Sequence, residues 1–309
     1  MFKKIAASLD LSEYSSTVLE AAANIAGKFG AELYLLHVLE KKVFPKDLEG
    51  TFAQPEELED IYSSLSEFAQ QELLKYAERA KTIVGREPTI AVRQGHPVNQ
   101  ILEFIEEIQA DLIVIGYHRK VPGIIAELGA VTEKIARHAP SHVYIVKEKE
   151  QFKIKSVLAP VDFSERSKKS LEIAVQISEK FKAKLSLLYV LETPKIDREN
   201  LPDTLKWKVD KFISTEGERE KYQLEALTRQ IMQDECCVVT SVFVDSGEPV
   251  PKILEYADDE NVDLIVMATR GVSGLKRVLM GSVTEKVIRK SRQSVLVVRG
   301  ERVGKTRFK

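Results

Sequence analysis

The sequence predicts two tandem doubly wound α/β domains, each a parallel sheet covered by helices on both faces. Three observations point there. The first is an internal duplication. Asp10, Val38, Gly95, Asp111-Leu-Ile-Val and Gly129-Ala-Val-Thr-Glu-Lys recur 152 residues later as Asp162, Val190, Gly247, Asp263-Leu-Ile-Val and Gly281-Ser-Val-Thr-Glu-Lys. A period this long exceeds those of solenoids and propellers, so each copy is expected to fold around its own core. The second is alternation within a copy, where apolar runs of strand length are separated by longer segments of helical period. The third is that the strand segments are nearly continuous in apolar residues, as in strands buried on both faces.

The second copy shows the elements in order. Ser156–Val161 reads as a buried strand, and Ser167–Lys182 as a helix with a stripe at Leu171, Ala174, Val175 and Ile177, closed by a turn at Lys182-Ala183. A strand follows at Leu185–Val190, then a polar-rich helix around Leu205–Asp234 and a strand at Val238–Val244. Gly247-Glu-Pro249 punctuates the start of a helix running to about Asn261, as Gly95-His-Pro97 does in the first copy. Asp263–Ala268 is a strand, Thr284–Arg292 a helix and Val295–Val298 a last strand. The charged stretch Lys147–Lys155 separates the copies, giving domains at 1–148 and 153–300 and a basic tail at 301–309. Segments around Phe44–Pro55 and Thr193–Pro202, with their prolines and acids, read as surface loops.

Composition narrows the function classes. Lys+Arg 46 against Asp+Glu 47 gives a net charge of −1, which offers no electrostatic basis for binding nucleic acid or an anionic membrane. No apolar run reaches the roughly 18 to 20 residues that span a bilayer, and Met1-Phe-Lys-Lys leads straight into a strand, so the expected location is cytoplasmic. The two cysteines, Cys236 and Cys237, are adjacent, which suits neither a normal disulfide nor a zinc site. The histidines (His37, His96, His118, His138, His142) lack metal-ligand spacing.

In doubly wound sheets a ligand sits beyond the carboxyl ends of the strands, where the strand order switches. There the second copy delivers Pro160-Val-Asp162-Phe-Ser164, Val190 and Met267-Ala268. Thr269-Arg-Gly271-Val-Ser-Gly274 follows, and then Gly281-Ser282-Val283-Thr284 opens a helix. Glycines at both margins of that loop let backbone N–H groups approach an anion, and the helix N-terminus adds donors and a favourable dipole. This is a phosphate cradle.

At these residues the chain resembles the universal stress protein family, along essentially its whole length, as two fused domains. The family's nucleotide-binding members carry Gly, two residues, Gly, nine residues, then Gly-Ser or Gly-Thr. The second copy reads Ala268-Thr-Arg-Gly271, nine residues, then Gly281-Ser282, so only the first glycine departs. The resemblance implies Rossmann-like domains of the adenine nucleotide alpha hydrolase type. It implies an ATP, ADP or AMP site, with Mg2+ accompanying the phosphates. Asp162 and the backbone near Val190 would hold the adenosine part and Gly271, Gly281, Ser282, Val283 and Thr284 the phosphates, with Pro160, Met267 and Ala268 also in the site. It also implies pairing of Val143–Val146 with Val295–Val298 in an internal pseudo-dimer, and a homodimer built upon it.

The first copy is degenerate at the same positions. Arg119 stands where the second glycine belongs, and Ala130 replaces the hydroxyl of Ser282. A Cβ and a long side chain obstruct close approach of phosphate to the backbone, although an arginine still attracts anions. Several residues also have plainer readings. Ser282 and Glu285 have capping-box spacing, and Asp162 has the position of a helix cap. Thr284 is matched by Thr132 in the degenerate copy, which makes it the weakest phosphate contact. Gly300-Glu-Arg-Val-Gly304-Lys-Thr306 imitates a Walker loop but has three residues between its glycines, where that motif needs four. His118 has no partner arrangement of nucleophile and base and reads as a surface loop residue.

The resulting expectation is an ATP-binding stress-response or signalling module acting through its second domain toward a protein partner. No general base to activate water is evident, so hydrolysis would be slow at most. The alternative is an interaction scaffold or small-ligand carrier with vestigial pockets. A phosphotransfer or hydrolytic enzyme would require a metal-binding carboxylate near the cradle.

Overall fold

The computed structural model describes residues 2–40, 55–117, 129–147, 152–192, 201–231, 239–269 and 280–300. The chain divides into two compact units, Met1–Phe152 and Lys153–Lys309. The first unit runs β1 (Lys4–Ser8), α1 (Ser15–Phe29), β2 (Glu32–Leu39), α2 (Pro55–Val84) and β3 (Thr89–Gln94), then α3 (Pro97–Glu107), β4 (Leu112–Gly116), α4 (Ala130–His138) and β5 (His142–Val146). The second repeats it as β6 (Ser156–Val161), α5 (Glu165–Phe181), β7 (Lys184–Leu191), α6 (Asp203–Ile231) and β8 (Val239–Ser246), then α7 (Pro249–Asp259), β9 (Leu264–Ala268), α8 (Ser282–Lys290) and β10 (Ser294–Val298).

Within the units the strand orders are β3-β2-β1-β4-β5 and β8-β7-β6-β9-β10, and the pairs β1/β2, β1/β4, β6/β7 and β6/β9 are all parallel. This is the doubly wound arrangement the apolar strands predict. The order reverses between β1 and β4 in one unit and between β6 and β9 in the other. Ile5, Ala6, Ala7, Leu112, Ile113 and Val114 are fully buried, as are Val157, Leu158, Leu264 and Ile265. Strands covered by helices on both faces have no position for a polar side chain to reach water.

The duplication extends to backbone conformation. Leu11 and Phe163 have φ 59 and 58, Gln109 and Asn261 have φ 54 and 49, and Gly95 and Gly247 have φ 138 and 140. α1 closes on a left-handed Gly30, as helix ends commonly do. α5 makes the same turn on Lys182, which bears the Cβ strain that glycine avoids.

At the amino ends of the central strands, the aspartate of each Asp-Leu-Ile-Val motif is a staple. Asp111 Oδ2 accepts from the N–H groups of Lys3 and Lys4 at 2.7 and 3.0 Å, and Asp263 Oδ2 from Lys155 and Ser156 at 2.8 and 3.2 Å. The carboxylate satisfies donors at the mouth of the first strand and fixes the register at the switch.

Two helices start two residues before the Ser167 and Thr284 starts read from the sequence. α5 begins at Glu165 because Ser164 caps it, and α8 begins at Ser282 because Gly281 takes the cap position. Cys236, Cys237, His118, Arg119, Gly271, the tail 301–309 and most of both proposed surface loops lie outside the described residues.

Candidate functional site

The second unit carries most of the sequence-predicted positions at or just after the carboxyl ends of β6, β7 and β9. Pro160 is the first determinant. β1 pairs with β4 from Ile5 through Ser8, whereas β6 pairs with β9 only at Val157 and Leu158. Pairing of β6 with β7 continues to Val161, so the ladder is lost on the β9 side alone. Pro160, standing where the first unit has Ser8, has no N–H to donate there. The two strands that flank the switch are therefore unlaced at their carboxyl ends.

Asp162 follows directly. Its Oδ1 accepts from the Ser164 N–H at 3.0 Å and the Ser164 hydroxyl at 2.6 Å. The helix cap is Ser164 itself, whose Oγ accepts from the Ser167 N–H at 3.1 Å, so Asp162 is not the cap its position suggests. It holds the left-handed Phe163 turn, a strained conformation for a bulky residue. Among the described residues no donor reaches Asp162 Oδ2, and the side chain is exposed. Asp10 makes the same turn but is more heavily used, with Oδ1 accepting from the Ser12 N–H, the Ser12 hydroxyl and the Ser15 hydroxyl. Burial pushes the Asp10 carboxyl up, and the hydrogen bonds from Ser12 and Ser15 together outweigh it, leaving it below the usual value.

The apolar wall of the site is continuous with the core. Met267 belongs to a cluster with Leu158, Leu188, Ile253, Ala257, Val262, Ile265 and Val287, and Val190 and Val283 pack onto that cluster half-buried. On the other face of β7 from Leu188 and Val190, Phe163 and Tyr189 form an aromatic pair with ring centroids 5.0 Å apart. The first unit has Leu11 and His37 there, with the His37 ring bonded through Nδ1 to the Leu9 carbonyl at 2.8 Å. Sequence reading passed over this pair, although each member adjoins a residue it selected. Burial is the main cause that raises the Tyr189 hydroxyl, followed by the carboxylates of Glu220, Glu192, Asp162 and Glu216.

Ala268, the departure from the glycine pattern, has a packing explanation. A Cβ added to Gly116, its counterpart, would lie 3.4 Å from Val18 Cγ2. The second unit has Ser170 at the position of Val18. The extra methyl on the strand is thus offset by a smaller residue on the helix.

The ends of the 270–279 segment are tied together. The Thr269 N–H donates to the Val298 carbonyl at 3.2 Å, and the Gly281 N–H donates to the Thr269 carbonyl at 2.5 Å. Thr284 Oγ1 donates to the Ala268 carbonyl at 2.8 Å, as Thr132 does to Gly116 at 2.7 Å. The Thr284 hydroxyl is therefore engaged in bracing β9 against α8, which leaves its backbone N–H as its remaining donor. Ser282 is different. The capping box is not formed: Gly281 is the cap residue without a side-chain cap, Ser282 is the first helical residue, and Glu285 faces Arg289 at 3.7 Å. Ser282 is exposed, and its hydroxyl has no hydrogen-bond partner among the described residues. The N–H groups of Ser282 and Val283 lie in the first turn, where no intrahelical acceptor exists. Among the described residues, no three His, Cys, Asp or Glu side chains converge to hold a metal ion.

These features define a class of protein: tandem doubly wound α/β domains, the second of which carries unengaged helix-start donors and buried apolar residues near the carboxyl ends of its central strands. The chain belongs to the universal stress protein family, whose model matches residues 1–147 and 153–299. A universal stress protein of Methanocaldococcus jannaschii, MJ0531, is 33% identical over 147 residues, covering 47% of this chain and 82% of that relative. The similarity to universal stress protein Slr1230 of Synechocystis is lower, 23% over 310 residues, but spans 96% of this chain and all of the relative. A universal stress protein structure from Archaeoglobus fulgidus superimposes with a TM-score of 0.66 at 24% identity, over 96% of this chain and 98% of that one, which supports the tandem fold. No helix among the described residues is long and apolar enough to cross a membrane.

Proposed function

We propose that the second domain, 153–300, binds an adenine nucleotide and that the chain acts as a nucleotide-responsive stress or signalling module. In this reading Asp162 Oδ2 receives a ribose hydroxyl, and Pro160, Val190, Met267 and Ala268 line the adenosine part. The peptide N–H groups of Gly271 and of Ser282, Val283 and Thr284, together with the Ser282 hydroxyl, receive the phosphates, with Gly281 allowing close approach. The observation that supports it best is the unengaged start of α8, an exposed hydroxyl and first-turn amides at the carboxyl end of β9. Mg2+, where present, would be held mainly by phosphate oxygens and water.

The first domain, 1–148, serves a structural or partner-facing role in this reading, since Ala130 supplies no hydroxyl and Asp10 is committed to Ser12 and Ser15. In this reading nucleotide occupancy rather than turnover is the signal.

Calorimetric titration of ATP into nucleotide-stripped protein tests this, alongside a variant with Gly281→Val and Ser282→Leu. The expected result is one site per chain, lost in the variant while its unfolding transition persists. Two sites per chain would overturn the assignment of the first domain. Absence of binding by a folded wild-type chain would overturn the nucleotide reading and leave a scaffold for other ligands.

A further inference from the structure

Both long helices expose large apolar side chains at helical spacing along their amino-terminal halves. On α2, Ile61, Leu65 and Phe68 recur at i, i+4 and i+7 and are 52%, 43% and 57% exposed. Its packed face is formed by Ala69, Leu73, Ala77 and Ala80, about a quarter turn away on a helix of 3.6 residues per turn. On α6, Leu205 and Phe212 are 45% and 57% exposed with half-buried Val209 between them, the same i, i+4, i+7 spacing. The packed face there is Leu224, Leu227 and Thr228. Side chains at this spacing form the seam by which one helix recognises another, and soluble chains rarely leave such stripes uncovered.

The charges beside the two stripes are opposite. α2 has no Lys or Arg before Lys75 but carries Glu59, Asp60, Glu67 and Glu72. Asp60 and Glu67 lie on the flank of the stripe away from the packed face. On α6 that same flank carries Lys208 and Lys211, with Lys211 Nζ 5.0 Å from the Trp207 ring centroid. In two antiparallel helices, flanks of the same hand meet each other. An antiparallel α2–α6 pair therefore brings Asp60 and Glu67 against Lys208 and Lys211 while Ile61, Leu65 and Phe68 close on Leu205, Val209 and Phe212. Two α2 helices would instead set acid against acid, which opposes that pairing.

We propose that the chain self-associates through α2 of one copy laid antiparallel on α6 of a second copy. Each copy offers one helix of either kind, so a two-fold pair would use the contact twice. The proposal does not depend on the nucleotide reading.

Sedimentation velocity on the full chain without nucleotide, across the micromolar range, tests the proposal. The expected mass rises from that of the 34.9 kDa chain to twice that value. Phe68→Glu, or Lys208→Glu with Lys211→Glu, shifts the midpoint to at least about tenfold higher concentration, as loss of an interface anchor does. Adding Asp60→Lys and Glu67→Lys to the reversed lysines restores it. All these positions are exposed, and far-UV circular dichroism checks that each variant is folded. A wild-type chain that stays at the mass of one copy overturns the proposal, including one that binds lipid vesicles or another protein through the stripe. So does a dimer indifferent to all these substitutions.

Discussion

The two domains share a scaffold and differ where a ligand would sit. The Asp-Leu-Ile-Val staple, the left-handed turn after the first strand and the threonine brace from the last helix to the fourth strand are the same in both. The strand switch is laced in the first domain and unlaced by Pro160 in the second. Asp10 is enclosed by three donor groups, Asp162 by two from a single residue. Features common to both copies are thus accounted for by folding, and the candidate binding features remain once those are set aside.

The largest effect should come from the shared staple. Asp263 is buried, holds two backbone N–H groups and has Lys153 at 3.7 Å. Asp263→Ala strands those donors and should cost about 3 kcal/mol of stability in its domain; Asp111→Ala, at a half-buried site, should cost less. Urea unfolding of each single variant checks the order, and equal, negligible losses would contradict the staple.

The next comparison concerns binding. Ser282→Ala removes one hydrogen bond to a charged group and should weaken ATP by about tenfold, near 1.4 kcal/mol. The reciprocal change, Arg119→Gly with Ala130→Ser, should raise the calorimetric stoichiometry from one site toward two. A variant with unchanged stoichiometry would mean that the lacing of β1 to β4 and the committed Asp10 close the first site even when its cradle is repaired.

Capping separates the domains by a smaller amount. Ser164 caps α5 through its side chain, whereas α1 begins after Tyr14 with no side-chain cap. Ser164→Ala should cost about 1 kcal/mol, and Tyr14→Ala should cost nothing through capping, as thermal unfolding would register. Asp10 adds a pH dependence. Its folded carboxyl lies below its ordinary value, so its stabilisation is present above the unfolded pKa of about 4 and is lost as pH falls through the folded value. Asp10→Asn should therefore destabilise at neutral pH and converge with the wild type in acid.

How much of this was legible in sequence follows from which residues act locally. The fold was readable because buried parallel strands leave long apolar runs and the duplication doubles every signal. Pro160, Asp162, Val190 and Met267 were placed at the switch by position alone. The spacing of Ser282 and Glu285 misled, because a glycine with extended backbone can take the cap position and demote the serine to the first turn. The Asp162 position misled for a related reason, since the turn it stabilises puts Ser164, two residues on, at the cap. The Phe163–Tyr189 pair joins the turn after one strand to the next strand, and no local pattern reports which residues meet across such a distance in sequence. The same applies to the oppositely charged flanks of α2 and α6, visible only once the packed face of each helix is known.

The finest comparison is the exchange of Gly116 and Val18 for Ala268 and Ser170. A methyl at Gly116 would meet Val18 Cγ2 at 3.4 Å, a contact that a small shift of α1 relieves. Gly116→Ala should accordingly change stability by less than about 1 kcal/mol, the sign set by whether the gain in strand propensity exceeds the crowding. Val18→Ser loses buried apolar surface and costs more by itself. If the pairs are truly matched, the double variant should be more stable than the sum of the singles by about 0.5 kcal/mol or more, a coupling expected only for residues in contact. Strict additivity in that cycle would show that Ala268 is tolerated for a reason other than Ser170, and would return attention to the cleft side of β9.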